Sequence, residues 1–506
     1  MNMGSGNRHV EVEKKFDVPA GTVFPSFDGL ATVARVERQP AQSLDAVYFD
    51  TPDRDLSAHK ITLRRRTGGP DAGWHLKLPA GPDARTEVQA PLDSSGEAGD
   101  TTVPEELLDI VLAVVRDRPL APVARIATTR NVVMLYGSDG SALAEFCDDE
   151  VSAWALGSGD GEAGEEQRWH EWELELSDGE IEGGRDLLKR LGNRLLDAGA
   201  AIAGHGSKLV KVLETAGSLP DAPEDAEESA DPVHRAVAEQ VDELLVWDRA
   251  VRADTYDSVH QMRVTTRKIR SLLQASEDAF GLTDDAWILD ELRQLAAVLG
   301  VARDAEVLAE RYEAALKGLP DDLIRGPVYE RLVSGAKRSY EAGLRRSLAA
   351  MRSTRYFRLL DALEALVAAQ APEAAPGEEP KPVSIDSAYK RVQKAAKNAA
   401  AATEDRDEAL HRIRKGAKRL RYVAAATGEP KVSDRAKTIQ TLLGDHQDSV
   451  VSRTHLAQQS LAAHAAGEDT FTYGLLYQLE DDLANRCREQ LDDALSALHK
   501  TFKKTH

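Results

Sequence analysis

HVEVEKKFDV, residues 9–18, alternates charge with apolar character. Glu11, Glu13 and Lys15 share one parity; Val10, Val12 and Lys14 share the other. A β-strand places i, i+2 and i+4 on one face. The stretch predicts a strand with two carboxylates and an ammonium on one face and valines on the other. LDAVYFDT, KITLRRRT, GWHLKLPA, RTEVQAPL, TRNVVMLYG, ALAEFCDDEV and WHEWELELSDG follow before about residue 212. Turn-formers such as GGPDAG and GSGDGEAGEE separate them, the pattern of several antiparallel strands. VPEELLDIVLAVVRD and GRDLLKRLGNRLLDAG have helical spacing and would cover the sheet.

The same parity recurs along the later strands. Arg64 and Arg66 share a face, as do His75 and Lys77, and Arg85 and Glu87. So do Glu145, Cys147 and Asp149, and then Glu171, Glu173 and Glu175 opposite Trp172, Leu174 and Leu176. One such strand is ordinarily amphipathic with its charges in water. Several of them, with apolar faces that need covering, bring the charged faces together inside a closed sheet. Buried charges must be paired or must coordinate something. Arg and Lys suit phosphate oxygens, and clustered carboxylates suit a hard divalent cation, Mg2+ or Mn2+. The pattern describes a polar tunnel for a compact polyanion and a metal.

A chain of 506 residues is expected to form two or three domains. A hydrophobic fraction of 42% supports real cores, and a net charge of -21 argues against a general nucleic-acid binder. Cys147 and Cys487 are the only cysteines, which excludes a disulfide scaffold or thiolate zinc site and fits a reducing, cytoplasmic setting. No run of about 18 apolar residues predicts a membrane span, and MNMGSGNRHV lacks the apolar region of a signal peptide. LETAGSLPDAPEDAEESADP, residues 213–232, has no Lys or Arg and reads as an acidic flexible linker. Residues 233–506 read as helical, divided by AQAPEAAPGEEPKPVSID (369–386) into arms of about 233–368 and 387–506.

The arms repeat. His260, Arg263, Arg267 and Arg270 lie at i, i+3, i+7 and i+10, one narrow stripe at 3.6 residues per turn. His411, Arg414, Lys418 and Arg421 repeat that spacing. LGVARDAEV from Leu299 and LGDHQDSVV from Leu443 form a second echo, with Asp304 and Asp448 in register. Two echoes in one order indicate a duplicated helical unit. A single basic stripe is commonly a solvated face. Two matching stripes point to an anionic partner, because stacked like charges oppose helix stability.

On these residues, the first 212 positions resemble the CYTH domains, also called triphosphate tunnel metalloenzymes. Glu11-Val12-Glu13-Lys14-Lys15 fits their ExExK motif. YFDT (48–51), LRRR (63–66), LKLP (76–79), Arg85 with Glu87, and the Glu171, Glu173, Glu175 series follow in family order. The resemblance implies an eight-stranded antiparallel tunnel and metal-dependent attack on triphosphate compounds. By their chemistry, Glu11, Glu13, Glu173 and Glu175 are the expected ligands of one or two divalent ions, with Glu145, Asp149 and Glu171 as further candidates. Lys15, Arg64, Arg66, Lys77 and Arg85 are expected to hold phosphate oxygens, and Arg130 and Lys208 match looser family positions. Catalysis is expected to rest on Glu11, Glu13, Lys15, Glu173 and Glu175. Thr128 stands where the family often has a second base, and Arg125, of opposite parity, is the candidate substitute.

Residues 233 to about 500 resemble the CHAD domain, which often follows CYTH domains. This implies two pseudo-symmetric four-helix bundles and binding of inorganic polyphosphate. The matching positions are His260, Arg263, Arg267, Arg270, Arg303, His411, Arg414, Lys418 and Arg421; Arg303 has Gln447 as its counterpart. The expected protein is an α+β chain that hydrolyses inorganic triphosphate or short polyphosphate with Mg2+ or Mn2+. It would bind polyphosphate through its helical half and could associate with polyphosphate granules, with neither membrane nor specific nucleic acid as partner. Two alternatives stay open: a catalytically weak polyphosphate-binding scaffold, and an adenylate cyclase.

Overall fold

The computed structural model describes residues 8–19, 21–27, 29–30, 32–81, 83–92, 102–157, 164–178, 183–219, 232–275, 280, 287–369, 385–401 and 406–505. The chain forms two compact units, Met1–Ser258 with Met351–Ala368, and Val259–Ala350 with Ala369–His506. Residues 220–231 of the expected linker and 370–384 of the expected inter-arm segment lie outside the described residues.

In the first unit the strands are β1 (Arg8–Asp17), β2 (Arg35–Arg38), β3 (Gln42–Asp50), β4 (Thr62–Thr67), β5 (Gly73–Pro79), β6 (Ala84–Ala90), β7 (Ala121–Tyr136), β8 (Ala142–Ala155), β9 (Gln167–Leu176) and β10 (Ala201–Ile202). Eight of them close in the order β1-β6-β5-β4-β3-β7-β8-β9 and back to β1, every pairing antiparallel. β2 adds to β7 and β10 to β1. All the expected strands are present.

Period-2 alternation explains both faces. Outward Phe16, Phe146, Trp172 and Leu174 pack beneath Leu187, Leu188, Leu191 and Leu195 of helix α3 (Gly184–Asp197). Leu63, Trp74, Leu76 and Val88 pack beneath Leu107, Val111 and Val114 of helix α2 (Glu105–Val115). Val10 departs from the pattern and is 43% exposed. In YFDT, Asp50 is structural: it accepts hydrogen bonds from the Thr51, Leu56 and Ser57 amides and the Ser57 hydroxyl, and so fastens the short helix α1 (Asp55–Ala58).

One part of the interior is apolar. Ala46, Ile126, Val151 and Ala153 share the parity of cavity-lining Tyr48, Arg130 and Glu145. These inward side chains leave room for Leu209, Val212 and Leu213 of helix α4 (Lys208–Thr215), which pack among them. Ser207 caps this helix by accepting from the Val210 amide. The plug sets Lys208 at the boundary between apolar and charged interior.

Helix α5 (Pro232–Arg252) and the helix Thr354–Ala368 belong to this same unit. Buried Arg116, just after α2, pairs with Asp361 and Glu364. Arg252 bonds Asp248 at 2.6 Å and Asp109 of α2 at 3.1 Å, and the Tyr356 hydroxyl donates to Asp248 at 2.8 Å.

The second unit is helical, with segments Ser258–Ala275, Trp287–Lys317, Gly335–Met351, Ile385–Ala401, Arg406–Ala426, Pro430–Ala465 and Phe471–Thr505. Ile413, Ala417, Leu420, Ile439 and Leu443 form part of one core, and Tyr312, Leu332, Leu456 and Tyr473 part of another. Gly343 allows close helix approach: a Cβ there would stand 2.8 Å from the Ala302 backbone. Among the described residues no helix is long and apolar enough to cross a membrane.

Candidate active site and anion groove

The tunnel encloses a cavity of about 370 Å³. Glu11, Glu13, Lys15, Arg64, Arg66, Lys77, Arg85, Arg130, Glu145, Glu173, Glu175 and Lys208 line it, together with Asp71 and Glu87. That is seven carboxylates against seven cations, so the interior is close to neutral and a polyanion entering it needs further positive charge. Asp149 and Glu171 do not line the cavity. They lie buried behind it and hold its cations in place.

The ladder register fixes the neighbours. Glu145 of β8 lies opposite Glu175 of β9, and Glu175 opposite Glu13 of β1. The next row is Cys147, Glu173 and Lys15, and the one beyond is Asp149, Glu171 and Asp17. Like charges directly opposite one another destabilise a sheet unless something neutralises them. In the first row Glu13 has Lys15 at 2.8 Å, and no ion pair reaches Glu145 or Glu175 among the described residues. Burial pushes the Glu175 carboxyl up to about 7 against the pull of Lys77, and Glu13, Glu173 and Glu145 add to the rise. Glu11 is likewise pushed up to about 7 by burial, opposed by Lys77 and reinforced by Glu87 and Glu175. Glu13 behaves oppositely: burial raises it, but Lys15 and Lys77 bring it down to about 2. Carboxylates crowded beyond their cations, as at Glu11, Glu145 and Glu175, are a donor set that fits a hard divalent ion.

Two other groups have carboxylate or imidazole atoms within 4.8 Å of one another: Asp149, Glu171 and Glu173, and His9, Glu11 and Glu87. Each already surrounds an ammonium. Lys208 Nζ lies 3.0, 2.7 and 2.8 Å from Asp149, Glu171 and Glu173. Lys77 Nζ lies 2.5 Å from Glu11 and 3.1 Å from Glu87. Burial alone would lower Lys208, but the three carboxylates hold it well above the usual lysine range. Glu173 is held well below the carboxylate range because Lys15, Lys208 and Arg130 outweigh its burial.

Facing this acidic wall is a basic one. Arg64 donates to the Tyr48 hydroxyl at 3.3 Å, and Arg66 pairs with Asp71. Burial, with Arg64 and Arg130 nearby, brings Arg66 down to about 10. Arg130 grips Asp149 through two bonds of 2.8 and 2.6 Å and reaches Glu173 at 2.5 Å. Arg85 donates to the Gly206 carbonyl at 2.7 Å. Nε of Arg64 and Nε of Arg66 are buried with no hydrogen-bond acceptor, the state of donors prepared for an anion. His75 fills space and bonds Glu87 at 2.5 Å; Cys147 donates to Glu145 at 3.1 Å. Arg125 does not stand in for the missing base. It lies exposed with Asp45 at 2.6 Å, as its opposite parity requires. Glu87 and Tyr48 were not in the expected ligand set, though both belong to motifs visible in the sequence.

In the helical unit, the two echoes meet. Gly300 lies against Arg263, where a Cβ would be 3.4 Å from Nε, and Gly444 lies against Arg414 at 3.7 Å. The Leu-Gly pairs therefore let each arginine lie flat on the following helix, once per repeat. Arg263 Nε also donates to the Ala296 carbonyl at 3.2 Å. The stripes face one another: burial and then Arg263, with Arg414 also contributing, lower Arg267. Burial and the charges of Arg267, Arg414, Arg263 and Arg421 bring Lys418 down to about 8. Tyr422, unforeseen in the sequence, is a ring shared by Lys418 at 5.8 Å and Arg421 at 5.5 Å. His411 is held below its ordinary value by burial, Lys415 and Arg414, and its Nδ1 is buried without a partner. Arg303 pairs with Glu306 at 2.8 Å. Arg270 is half-buried with an unsatisfied Nε.

A closed charged tunnel followed by a duplicated basic helical unit defines the class. The sequence model of the CYTH domain matches residues 9–197 and that of the CHAD domain residues 235–457; the chain belongs to the family that joins the two. It is 64% identical over 509 residues to Uncharacterized protein MT2285 of Mycobacterium tuberculosis (strain CDC 1551 / Oshkosh), with 98% of each chain covered. Among solved structures, PptA from Streptomyces chartreusis is 20% identical, with a TM-score of 0.43, covering 52% of this chain and 98% of its own. The CHAD domain from the plant Ricinus communis is 24% identical, with a TM-score of 0.41, covering 53% and 90%. The CYTH family includes triphosphatases and cyclases, and its domains are metal-dependent.

Proposed function

We propose that the tunnel hydrolyses inorganic triphosphate or short polyphosphate with Mg2+ or Mn2+, and that the helical unit binds inorganic polyphosphate along its facing basic stripes. The observation that carries the first part is the cavity's charge plan. A balanced set of seven carboxylates and seven cations includes an acid row, Glu145, Glu175 and Glu13, in which Glu13 alone has an ion-pair partner, Lys15, among the described residues. Such an interior accepts a polyanion only together with added cations. Glu11, Glu13, Glu145, Glu173 and Glu175 would hold the divalent ion, which when bound supplies charge neutralisation and a more acidic water. Lys15, Arg64, Arg66, Lys77 and Arg130 orient the phosphoryl oxygens and take up the charge that grows on them in transfer. The lining favours an inorganic substrate over a nucleotide: Tyr48 and His9 are its only rings among the described residues, so a base has little to stack on.

The test is phosphate release by the full chain from tripolyphosphate, long-chain polyphosphate and ATP, with Mg2+ or Mn2+ and with chelator. Metal-dependent release from tripolyphosphate is expected. Glu13→Gln with Glu175→Gln should reduce it by roughly a hundredfold or more, while polyphosphate binding persists. Undiminished release in chelator overturns the metal assignment, and cyclic AMP from ATP replaces the hydrolase with a cyclase.

A further inference from the structure

Lys418 is set apart from Lys415, the other lysine of its helix. It is half-buried, whereas Lys415 is exposed. The charges acting on it most strongly are all cationic, from Arg267, Arg414, Arg263 and Arg421. Its ammonium lies 5.8 Å from the Tyr422 ring. No ion pair joins Lys418, Arg267 or Arg414 to a carboxylate among the described residues. Arg414 Nε is buried with no acceptor. A lysine in this setting has two chemical consequences. It releases its proton easily, which exposes a nucleophilic amine near neutral pH. Beside it stand guanidinium groups shaped to hold a phosphate.

We propose that Lys418 is a site of acylation by acyl phosphates, with Arg267 and Arg414 holding the phosphate of the donor while the Lys418 amine attacks its acyl carbon. The Nζ–C bond forms, the C–O bond to phosphate breaks, inorganic phosphate leaves on the guanidinium groups, and Nζ loses a proton to solvent. The product is an uncharged amide in the middle of the groove. This regulatory consequence rests on the polyphosphate reading above: acylation removes one of the groove's cations and weakens binding. Polyphosphate in turn shields the amine by taking the same guanidinium groups and drawing Lys418 back to its charged form.

The experiment incubates the full chain with acetyl phosphate at pH 7.5 and follows each lysine by peptide mass spectrometry. Lys418, brought down to about 8, has a far larger amine fraction at pH 7.5 than it would have unperturbed; with its weaker basicity allowed for, that change alone speeds its reaction roughly tenfold, and Lys418 should be labelled several-fold faster than exposed Lys415. Arg267→Gln with Arg414→Gln should bring the two rates together. p-Nitrophenyl acetate, a donor without phosphate, should discriminate less between them. Long-chain polyphosphate should suppress labelling of Lys418 and leave Lys431 unaffected. Acetylated wild type should bind polyphosphate less tightly, while Lys418→Arg, carried through the same treatment, should keep its own affinity. Labelling of Lys418 no faster than Lys415 overturns the proposal whether or not polyphosphate binds. Equal selectivity with both donors overturns the phosphate-guided step. Fast, acetyl phosphate-selective labelling in a chain that fails to bind polyphosphate upholds the acylation and removes the polyphosphate reading instead.

Discussion

Lys208→Met removes one ammonium and keeps the length of the side chain. In the wild type that ammonium is 9% exposed and lies 2.7–3.0 Å from three buried carboxylates. After substitution Asp149 and Glu173 keep Arg130, and Glu171 keeps only the Trp169 indole at 2.5 Å. Breaking a buried ion cluster by removing one partner costs about 3–5 kcal/mol, because the remaining charge is uncompensated. With roughly 2–4 °C per kcal/mol for a unit of this size, the tunnel transition should fall by roughly 6–20 °C. The pH dependence has a definite sign. Glu173 is held below its unfolded value, so its contribution is present above about 4.5 and is lost as pH falls through the depressed value. Without Lys208 that loss begins at higher pH. Scanning calorimetry of the full chain at pH 7 and in an acid series, with and without Mn2+, reads these effects, and Mn2+ should recover part of the lost stability. A tunnel transition unchanged at pH 7 would refute the claim that Lys208 neutralises this cluster.

Three further outcomes are expected. Arg267→Gln with Arg414→Gln should weaken polyphosphate binding and flatten its log–log salt dependence by roughly 1.5, two contacts at about 0.7–0.9 each; an unchanged slope would make the stripes a wet face. Polyphosphate affinity should rise as pH falls through about 8, because Lys418 gains its proton there and the bound polyanion favours the charged form; titration calorimetry at pH 7 and 9 in two buffers of different ionisation enthalpy measures the proton taken up. Arg116→Leu strands Asp361 and Glu364 and removes their link to α2; a fragment ending at residue 215 loses those partners altogether. Both should show a tunnel transition lowered by several degrees in thermal scans, and a fragment as stable as the full chain would show these contacts to be incidental.

Alternation and helical spacing are local properties, and from them the sequence by itself determined the strands, the sign of charge on each inward face and the two matching basic stripes. The ExExK stretch placed Glu11, Glu13 and Lys15 in the cavity because parity cannot change within an unbroken strand. What a charge pairs with depends on residues far away in the chain. Only closure of the sheet brings Glu145, Glu175 and Glu13 into one row, and only the plug helix carries Lys208 among Asp149, Glu171 and Glu173. Those last carboxylates share the parity of cavity residues, yet Asp149 and Glu171 are covered by the Arg130 and Lys208 cations they hold and do not line the cavity, because depth within a barrel is not encoded by alternation. The helix Pro232–Arg252 begins the repetitive half by sequence but packs in the tunnel's compact unit, since Arg252 finds Asp109 across a long span of chain. The Leu-Gly echoes were visible as repeats, and their purpose was not: a glycine's missing Cβ matters only once a folded neighbour, here Arg263 or Arg414, needs the space.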